Sequence, residues 1–343
     1  MNTIEQNKTD RLEKLFSIYV AHPDAENILK KIERCHLSRT YSQNPRSMSL
    51  IGETGSGKTT LIEQYMARHP PSETEKTTSV PIFKSIIQPD TSILDFVISL
   101  LKSLIASVTN SPEDDVNDEL LQGRRPAVTK RLCRYLAAAE VKLIILDEFQ
   151  HLLNSKNEEV LDDVANTLKT LVIETKIPVV LVGTTKAYQV FLVNFQLARR
   201  VSDKITLKPF SISTAEDNRI FRKFLAEVDK LLPFDTPVEL RTRLATEEMS
   251  TRFFAASNGY IDDIMRLIQD AGYSAIMNDS ECITIEDLAD AFENNPGQNN
   301  KAEGNPFTTP YELLQGWACI KDARLGKHNV SKILREANDR DVF

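Results

Sequence analysis
Short, continuous apolar segments alternate along the chain with longer segments in which apolar residues recur at helical spacing. The short segments fit strands that are buried on both faces, and the longer ones fit amphipathic helices. Because helices separate the strands, the pattern predicts an α/β layer structure with a parallel sheet and right-handed crossovers. The predicted strands are Met48 to Ile51, Val80 to Ile87, Val141 to Leu146, Pro178 to Gly183 and Ile205 to Leu207.

The strand pattern stops near residue 210, and the next part of the chain is helical throughout. This change predicts a small helical bundle appended to the sheet domain. The last part carries the only tryptophan, Trp317, and fits either a loosely docked end or a partner-binding tail. We therefore expect four parts: an N-terminal helical region, 1–46; a core, 47–210; a helical subdomain, 211–295; and a linker with a C-terminal tail, 296–343.

The first predicted strand leads into a glycine-rich segment that matches the pattern G-x-x-x-x-G-K-[ST]. Its glycines allow successive backbone N–H groups to face a phosphate, and the following helix N-terminus adds partial positive charge. Lys58 can reach the β- and γ-phosphate oxygens, and the Thr59 hydroxyl can ligate Mg²⁺. The predicted nucleotide-binding residues are Gly52, Glu53, Thr54, Gly55, Ser56, Gly57, Lys58, Thr59 and Thr60.

Two later strands end in polar residues that suit the same site. The strand that begins at Val141 is followed by Asp147 and Glu148, and the next strand ends at Gly183 and Thr184. Ligands bind at the carboxyl ends of parallel strands, so we expect Asp147 to hold Mg²⁺ through water and Glu148 to orient the attacking water. The Thr184 hydroxyl is expected to hydrogen-bond the γ-phosphate or that water.

The totals narrow the class of protein. The 343 residues are 41% hydrophobic and 27% charged, which allows a sizeable core, and the net charge of −7 argues against an overall basic coat for nucleic acid. The four cysteines form no C-x-x-C pair, so neither disulfides nor a zinc site is predicted, and a reducing compartment fits. The polar N-terminus and the absence of a bilayer-length apolar run predict a cytoplasmic protein without a membrane partner.

The charge reverses sign locally before the Asp147 strand. An acidic segment, Ser111 to Glu119, precedes a basic cluster at a predicted loop-to-helix junction. These cations suit DNA phosphates, but they also suit pairing with the acidic segment, and exposed charge runs are common, so the residues alone favour the second interpretation and leave the first open. The cluster consists of Arg124, Arg125, Lys130, Arg131 and Arg134.

Several of these segments together resemble a known family. The phosphate loop, the Leu-Ile-Ile-Leu-Asp-Glu strand at 143–148 and the Val-Gly-Thr at 182–184 resemble AAA+ ATPases with a helical lid. The resemblance covers about residues 20–307 and extends to TniB/TnsC-type transposition ATPases. The segments similar to that narrower group are Asp-Glu-Phe-Gln-His-Leu at 147–152, Leu-Val-Gly-Thr at 181–184, Gln-Leu-Ala-Arg-Arg at 196–200, Asn-Gly-Tyr-Ile at 258–261 and Asn-Pro-Phe at 305–307.

The resemblance implies an ATP- and Mg²⁺-dependent regulator of DNA transposition. Such proteins bind double-stranded DNA, assemble into rings or helical filaments, and link a target-selection protein to the transposase. In them an arginine of one subunit completes the nucleotide site of its neighbour, and Arg199 and Arg200 match that region. The family's DNA-facing segments correspond here to the candidate contacts Lys102, Arg124, Arg125, Lys130 and Arg131.

One position departs from the family pattern. The lid arginine that many AAA+ proteins carry after Gly-Tyr-Ile is replaced by Asp262 and Asp263, with Arg266 one helical turn later. Two other functions stay open: a remodelling or loader ATPase, similar to a helicase or clamp loader, that acts on a protein ring, and a nucleotide switch with little hydrolysis. Intact Lys58, Asp147 and Glu148 argue against the switch.

Overall fold
The computed structural model describes two compact units within the chain. The sheet unit comprises Asp24–Lys208, and the helical unit comprises Met1–Pro23 together with Pro209–Phe343. Each unit has its own apolar core, which confirms the predicted α/β class with an added helical subdomain. The described residues are 3–21, 23–42, 44–73, 78–89, 91–153, 158–187, 199, 201–236, 243–295, 304–314 and 316.

The sheet unit is built on five parallel strands in the order β4-β5-β6-β1-β7. The last strand begins at Val201, four residues before the start that the sequence predicted. A separate antiparallel pair, β2 and β3, lies outside the predicted strands. The strands are β1 (Ser47–Ile51), β2 (Ser72–Glu73), β3 (Thr78–Ser79), β4 (Ile82–Ile86), β5 (Leu143–Asp147), β6 (Val179–Gly183) and β7 (Val201–Thr206).

Side chains of the sheet alternate between two helical layers, because successive residues of a strand lie on opposite faces. In β5, Leu143 and Ile145 pack with α2 and α3, whereas Ile144 and Leu146 pack with α4, α5 and α6. Burial on both faces explains why these strands contain continuous apolar runs. The helices are α2 (Ala25–Tyr41), α3 (Lys58–Met66), α4 (Ile93–Thr109), α5 (Arg125–Ala138) and α6 (Glu158–Thr175).

The helical unit includes the first helix of the chain as well as the helices that follow the sheet. Leu15 of α1 is fully buried and packs where Gly272 of α9 has no side chain. The predicted N-terminal region 1–46 is therefore divided, because α2 belongs to the sheet unit. The helices of this unit are α1 (Thr3–Phe16), α7 (Ala215–Leu231), α8 (Glu247–Ser257), α9 (Ile261–Met277) and α10 (Ile285–Asn294).

Threonine caps define where several of these helices begin. The hydroxyls of Thr214, Thr246 and Thr284 each accept a hydrogen bond from the backbone N–H three residues later, at 3.1–3.2 Å. Such caps satisfy N–H groups that the first helical turn leaves without intrahelical partners. At Thr284 the Asp287 carboxylate also accepts from the Thr284 backbone N–H at 2.8 Å, which completes a capping box.

The segment 305–309 is fixed to the helical unit by both apolar and polar contacts. Phe307 is buried, and its ring meets those of Phe253 and Phe292 with centroids 5.5 and 6.4 Å apart. The buried guanidinium of Arg252 donates to two backbone carbonyls of the segment. These acceptors matter because a buried charge without partners is strongly unfavourable.

The tail beyond this segment is described only at its start. Residues 311–314 are helical, and Trp317 lies outside the described residues. Within the part of the chain that the structure describes, no helix is long and apolar enough to cross a membrane.

Candidate nucleotide site and nucleic-acid interface
The phosphate loop connects β1 to α3 at the carboxyl edge of the sheet. Helix α3 begins at Lys58, directly after Gly57, whose φ of 87° is left-handed and therefore favours glycine. The buried Lys58 ammonium donates to the backbone carbonyls of Gly52 and Glu53, each at 2.9 Å. The loop therefore surrounds the Lys58 ammonium, which is bonded to the loop's own carbonyls.

Asp147, the last residue of β5, is buried and has three polar neighbours. Its Oδ2 accepts from Thr59 Oγ1 at 3.4 Å and lies 3.6 Å from the Lys84 ammonium. Its Oδ1 accepts from the Glu148 backbone N–H at 2.9 Å. A hydroxyl and a carboxylate oxygen are hard ligands of the kind that Mg²⁺ prefers, so the two predicted magnesium ligands, Thr59 and Asp147, fit the ion.

Glu148 follows Asp147 with a left-handed backbone, at a φ of 57°. Its Oε2 accepts a hydrogen bond from the Gln150 side-chain amide and lies 3.6 Å from His151 Nε2. The amide oxygen of Gln150 in turn accepts from the Thr184 backbone N–H at 3.0 Å. One amide side chain thereby joins the carboxyl ends of β5 and β6.

Two buried hydroxyls at this edge, Ser56 Oγ and Thr184 Oγ1, have no hydrogen-bond partner among the described residues. An unpaired buried polar group costs about 1–3 kcal/mol, so each of these atoms calls for a partner. Glu53 and Thr185 link the loop to the end of β6, with the Thr185 hydroxyl donating to the Glu53 carboxylate at 3.2 Å. Together with Lys58, the two unpaired hydroxyls fit a ligand rich in acceptor oxygens, which is the chemistry of a polyphosphate.

The basic cluster lies at the start and along the exposed side of α5, and the chain already uses part of its charge. Some of the candidate DNA contacts are bonded to other groups of the chain. The internal contacts are Lys102 Nζ to Asp114 at 3.3 Å, Arg125 to Asp163 at 3.1 Å, and Arg131 to the carbonyls of Leu120 and Gln122.

The remaining cations of the cluster are more accessible. The Arg124 and Lys130 side chains are exposed and make no hydrogen bond or ion pair within the described ranges. Arg134, which the sequence placed in the cluster but not among the DNA contacts, is exposed one helical turn after Lys130. Within the cluster, Arg125 and Arg131 are therefore bonded to acceptors outside the acidic segment, whereas Arg124, Lys130 and Arg134 are exposed. Outside the cluster, Lys102 pairs with Asp114 of the acidic segment.

Comparison with known protein families identifies the chain. A family model described as Bacterial TniB protein matches residues 16–212, which is more than half of the 343 residues. The chain belongs to the TniB family. It is an AAA+ ATPase. The matched range of this TniB-family protein includes the phosphate loop, the Asp147 strand and the basic cluster. No curated protein matches its sequence.

Solved structures share the fold of this TniB-family chain at low sequence identity. The ORC2 protein of Aeropyrum pernix, in ADPNP and ADP complexes, has a TM-score of 0.55 and 15% identity over 85% of this chain and 74% of its own. The ORC1 protein of the same organism, in complex with DNA, has a TM-score of 0.53 and 14% identity over 82% of this chain and 68% of its own. At these identities the likeness concerns the fold.

The predicted arginines of the TniB-family chain are only partly described. Arg199 is helical and exposed, and Arg200 lies outside the described residues, so their role at a neighbouring subunit stays a prediction. Arg266 is exposed on α9. Burial raises the pKa of Asp263, and the charge of Arg266 opposes that rise, so Arg266 already interacts with an acidic residue of its own helix.

Two residues of this TniB-family site were not predicted. Gln150 lay inside the motif at 147–152 but had no assigned role, and nothing in the sequence indicated that it reaches Thr184. Lys84 lies in the mostly apolar β4, and its ammonium is 3.6 Å from Asp147 and 3.8 Å from Glu63. A lysine within an apolar strand was the available signal, because lysine is seldom buried without a partner.

Proposed function
We propose that this TniB-family ATPase binds ATP with Mg²⁺ at the loop 52–60, assembles on double-stranded DNA, and regulates transposition. The observation that carries the proposal is the meeting of Lys58, Thr59 and Asp147 at one sheet edge. Beside them, the Ser56 and Thr184 hydroxyls need a ligand's oxygens. A phosphate-binding loop, a metal-ligand pair and a nearby carboxylate are the parts that phosphoryl transfer requires.

Each residue has a defined task in this proposal. Lys58 exchanges its loop carbonyls for β- and γ-phosphate oxygens. Thr59 and Asp147 hold Mg²⁺, which supplies neutralisation of charge on the phosphate oxygens. Glu148 orients the attacking water and accepts its proton. The Thr184 hydroxyl donates to the terminal phosphate or to that water.

Double-stranded DNA is proposed as the second ligand because of the exposed cations on α5. Arg124, Lys130 and Arg134 provide positive charge without a base-reading geometry, so binding is expected to tolerate sequence and to weaken with salt. A few contacts per subunit are enough when subunits repeat along the duplex. The ORC1 structure in complex with DNA supports DNA as a ligand that this fold accommodates.

Membership of the TniB family supports a proposed role in transposition. We propose that the protein forms rings or helical filaments and links a target-selection protein to the transposase. Arg199 and Arg200 are proposed to complete the nucleotide site of the adjacent subunit, where a trans arginine typically contributes about 10³–10⁵ in turnover. The tail, 296–343, is proposed as the segment that partners bind. The parts predicted from the sequence at 47–210 and 211–295 are proposed as the ATPase core and its lid.

Negative-stain electron microscopy of the purified protein with duplex DNA, with and without ATP, tests the proposal. Rings or filaments that require both ligands are the expected result. The Lys58→Ala variant is the matched control, since it lacks the phosphate-binding lysine and should form neither. ATP-dependent rings that form equally well without DNA would instead favour a remodelling or loader ATPase that acts on a protein.

A further inference from the structure
Gln150 lies between two groups of the nucleotide site and is bonded to both. Its amide nitrogen donates to Glu148 Oε2, and its amide oxygen accepts from the Thr184 backbone N–H at 3.0 Å. The side chain is only 8% exposed, so water competes little for these bonds, and the low local dielectric strengthens them. A neutral amide can donate at one atom and accept at the other in one rigid plane.

The close approach of Gln150 to β6 depends on the residue before Thr184. A Cβ at Gly183 would lie 2.5 Å from the Gln150 amide oxygen. The φ of Gly183 is not left-handed, so its backbone conformation does not require glycine. Glycine is required here because a side chain would overlap the Gln150 amide. The chain thus has room for this amide at the one strand end where a terminal phosphate is expected.

No other side chain in the described residues is bonded as closely to the Glu148 carboxylate. His151 Nε2 lies 3.6 Å from the same Oε2 atom, which is beyond hydrogen-bond distance. The Glu148 backbone N–H is bonded to Asp147, so the backbone is held while the carboxylate depends on the amide for its orientation. Gln150 therefore fixes the direction in which the carboxylate faces.

We propose that Gln150 is a positioning residue that couples the end of β6 to the Glu148 carboxylate. The inference rests on the proposed role of Glu148 as the base that orients water. A phosphate bonded to the Thr184 hydroxyl shifts the Thr184 backbone, and the rigid amide carries that shift to Glu148 Oε2. The base then takes its working orientation only when the terminal phosphate is present.

The test uses two substitutions of Gln150 in the full chain, with steady-state ATP turnover and binding of a fluorescent ATP analogue as readouts. Gln150→Met keeps the size of the side chain but removes both hydrogen bonds. Since misplacement of a reacting group by about 1 Å can cost about 10²-fold, we expect turnover to fall 10- to 100-fold. Analogue affinity should stay at the wild-type value, and the thermal unfolding midpoint should fall but stay above the assay temperature, because the Thr184 N–H loses its acceptor.

The second substitution separates positioning from simple support of β6. Gln150→Glu, at pH 8, keeps an acceptor for the Thr184 N–H but places a like charge beside Glu148. We expect turnover as low as in Gln150→Met. Recovery of wild-type turnover in Gln150→Glu would overturn the inference, because only the support of Thr184 would then matter.

A double substitution checks that Gln150 acts through Glu148. In a Glu148→Gln background, adding Gln150→Met should change single-turnover hydrolysis less than about two-fold, because residues that act as a unit are not additive. An additive loss would overturn the coupling. Gln122→Met, at an exposed glutamine of the same unit, is the matched control and should match wild type.

The same measurements separate this inference from the proposed function. If Glu148→Gln alone keeps wild-type turnover, the base assignment fails and the coupling fails with it. If Glu148→Gln is inactive while Gln150→Met turns over at the wild-type rate, the proposed function stands and only the role of Gln150 is overturned.

Discussion
The phosphate loop and the basic cluster are both rich in polar groups, but their polar atoms are satisfied in different ways. At the loop, the Ser56 and Thr184 hydroxyls are buried and lack partners among the described residues. In the basic cluster, Arg125 and Arg131 bond to acceptors of the chain itself. The phosphate loop thus has buried hydroxyls that bond to no described residue, whereas part of the positive charge of the basic cluster is neutralised within the chain.

The buried hydroxyls of the loop say more about the ligand than the exposed cations of the basic cluster do. A buried hydroxyl without a partner loses its hydration, so a ligand that bonds to it recovers free energy. An exposed cation such as Arg124 is already hydrated. Its exposure shows that it can bind a phosphate but not that it requires a ligand. The loop therefore specifies its ligand more strongly than the basic cluster does, and the following variants test that ranking.

The largest effect is expected where the loop loses its central cation. Lys58→Ala removes the buried ammonium around which the loop is wrapped, so we expect turnover to fall about 10³-fold, together with a loss of nucleotide affinity. Phosphate release and binding of a fluorescent ATP analogue measure both effects. Lys30→Ala, at an exposed lysine of α2, is the control. Wild-type turnover in Lys58→Ala would refute the site.

A buried polar group that has a partner should behave as structure rather than as a ligand site, and His36 provides that case. His36 is 7% exposed, and its Nδ1 shares a hydrogen bond with the Tyr65 hydroxyl at 2.9 Å. Burial, followed by the charges of His69 and Lys142, lowers the pKa of His36 from 6.5 to about 4. The native state therefore resists protonation of this histidine.

The sign of the pH effect follows from that shift. Between pH 6.5 and pH 4 the unfolded chain binds a proton at His36 that the native chain excludes, so the stabilisation is present above pH 6.5 and is lost as pH falls. Urea unfolding should give a free energy of unfolding that is lower at pH 4.5 than at pH 7. We expect this decrease to be about 2–3 kcal/mol larger in wild type than in His36→Phe. An equal pH dependence in both proteins would contradict the assignment.

The cations of the basic cluster allow a matched test of availability. Arg124→Ala with Lys130→Ala should lower duplex affinity about 10-fold at physiological salt and reduce the salt slope, because exposed phosphate contacts are lost. Arg125→Ala with Arg131→Ala removes the same charge but should lower affinity less than about 3-fold, and should lower the unfolding temperature instead. Fluorescence anisotropy with duplex DNA compares the pairs, and equal affinity losses would remove the distinction.

The smallest effect concerns the ion pair of Lys102. Asp114 is 98% exposed, so Asp114→Asn should change stability by less than about 0.5 kcal/mol while it releases Lys102 for DNA. We expect duplex affinity to rise about 2-fold. Asp118→Asn makes the same change of charge away from Lys102, and an equal rise in that variant would show a general charge effect.

The parts that the sequence predicted well are those encoded by local spacing. The loop residues and Lys58 lie within one turn, and Asp147 follows directly from an apolar strand, so the pattern placed them at one sheet edge. The same reasoning predicted the helical unit, since apolar periodicity needs only neighbouring residues. Periodicity did not predict that α1 and α2 belong to different units, because it reveals a buried face but not the surface that covers it.

The parts that were missed depend on contacts between residues that are far apart in the sequence. Gln150 and Thr184 are 34 residues apart, and Arg125 and Asp163 are 38 residues apart, so no local pattern joins them. For the same reason the basic cluster left two interpretations open. The positions of α5 and α6 decide that Arg125 finds an internal acceptor in Asp163.

The attachment of Phe307 sets where the chain can be shortened or extended. A protein that ends at Leu314 keeps the aromatic contacts with Phe253 and Phe292, whereas one that ends at Gly304 exposes those rings to water and forfeits about 2–3 kcal/mol of apolar burial. A fluorescent label or affinity tag placed after Leu314 would accordingly be anchored to the helical unit and would report on its movements.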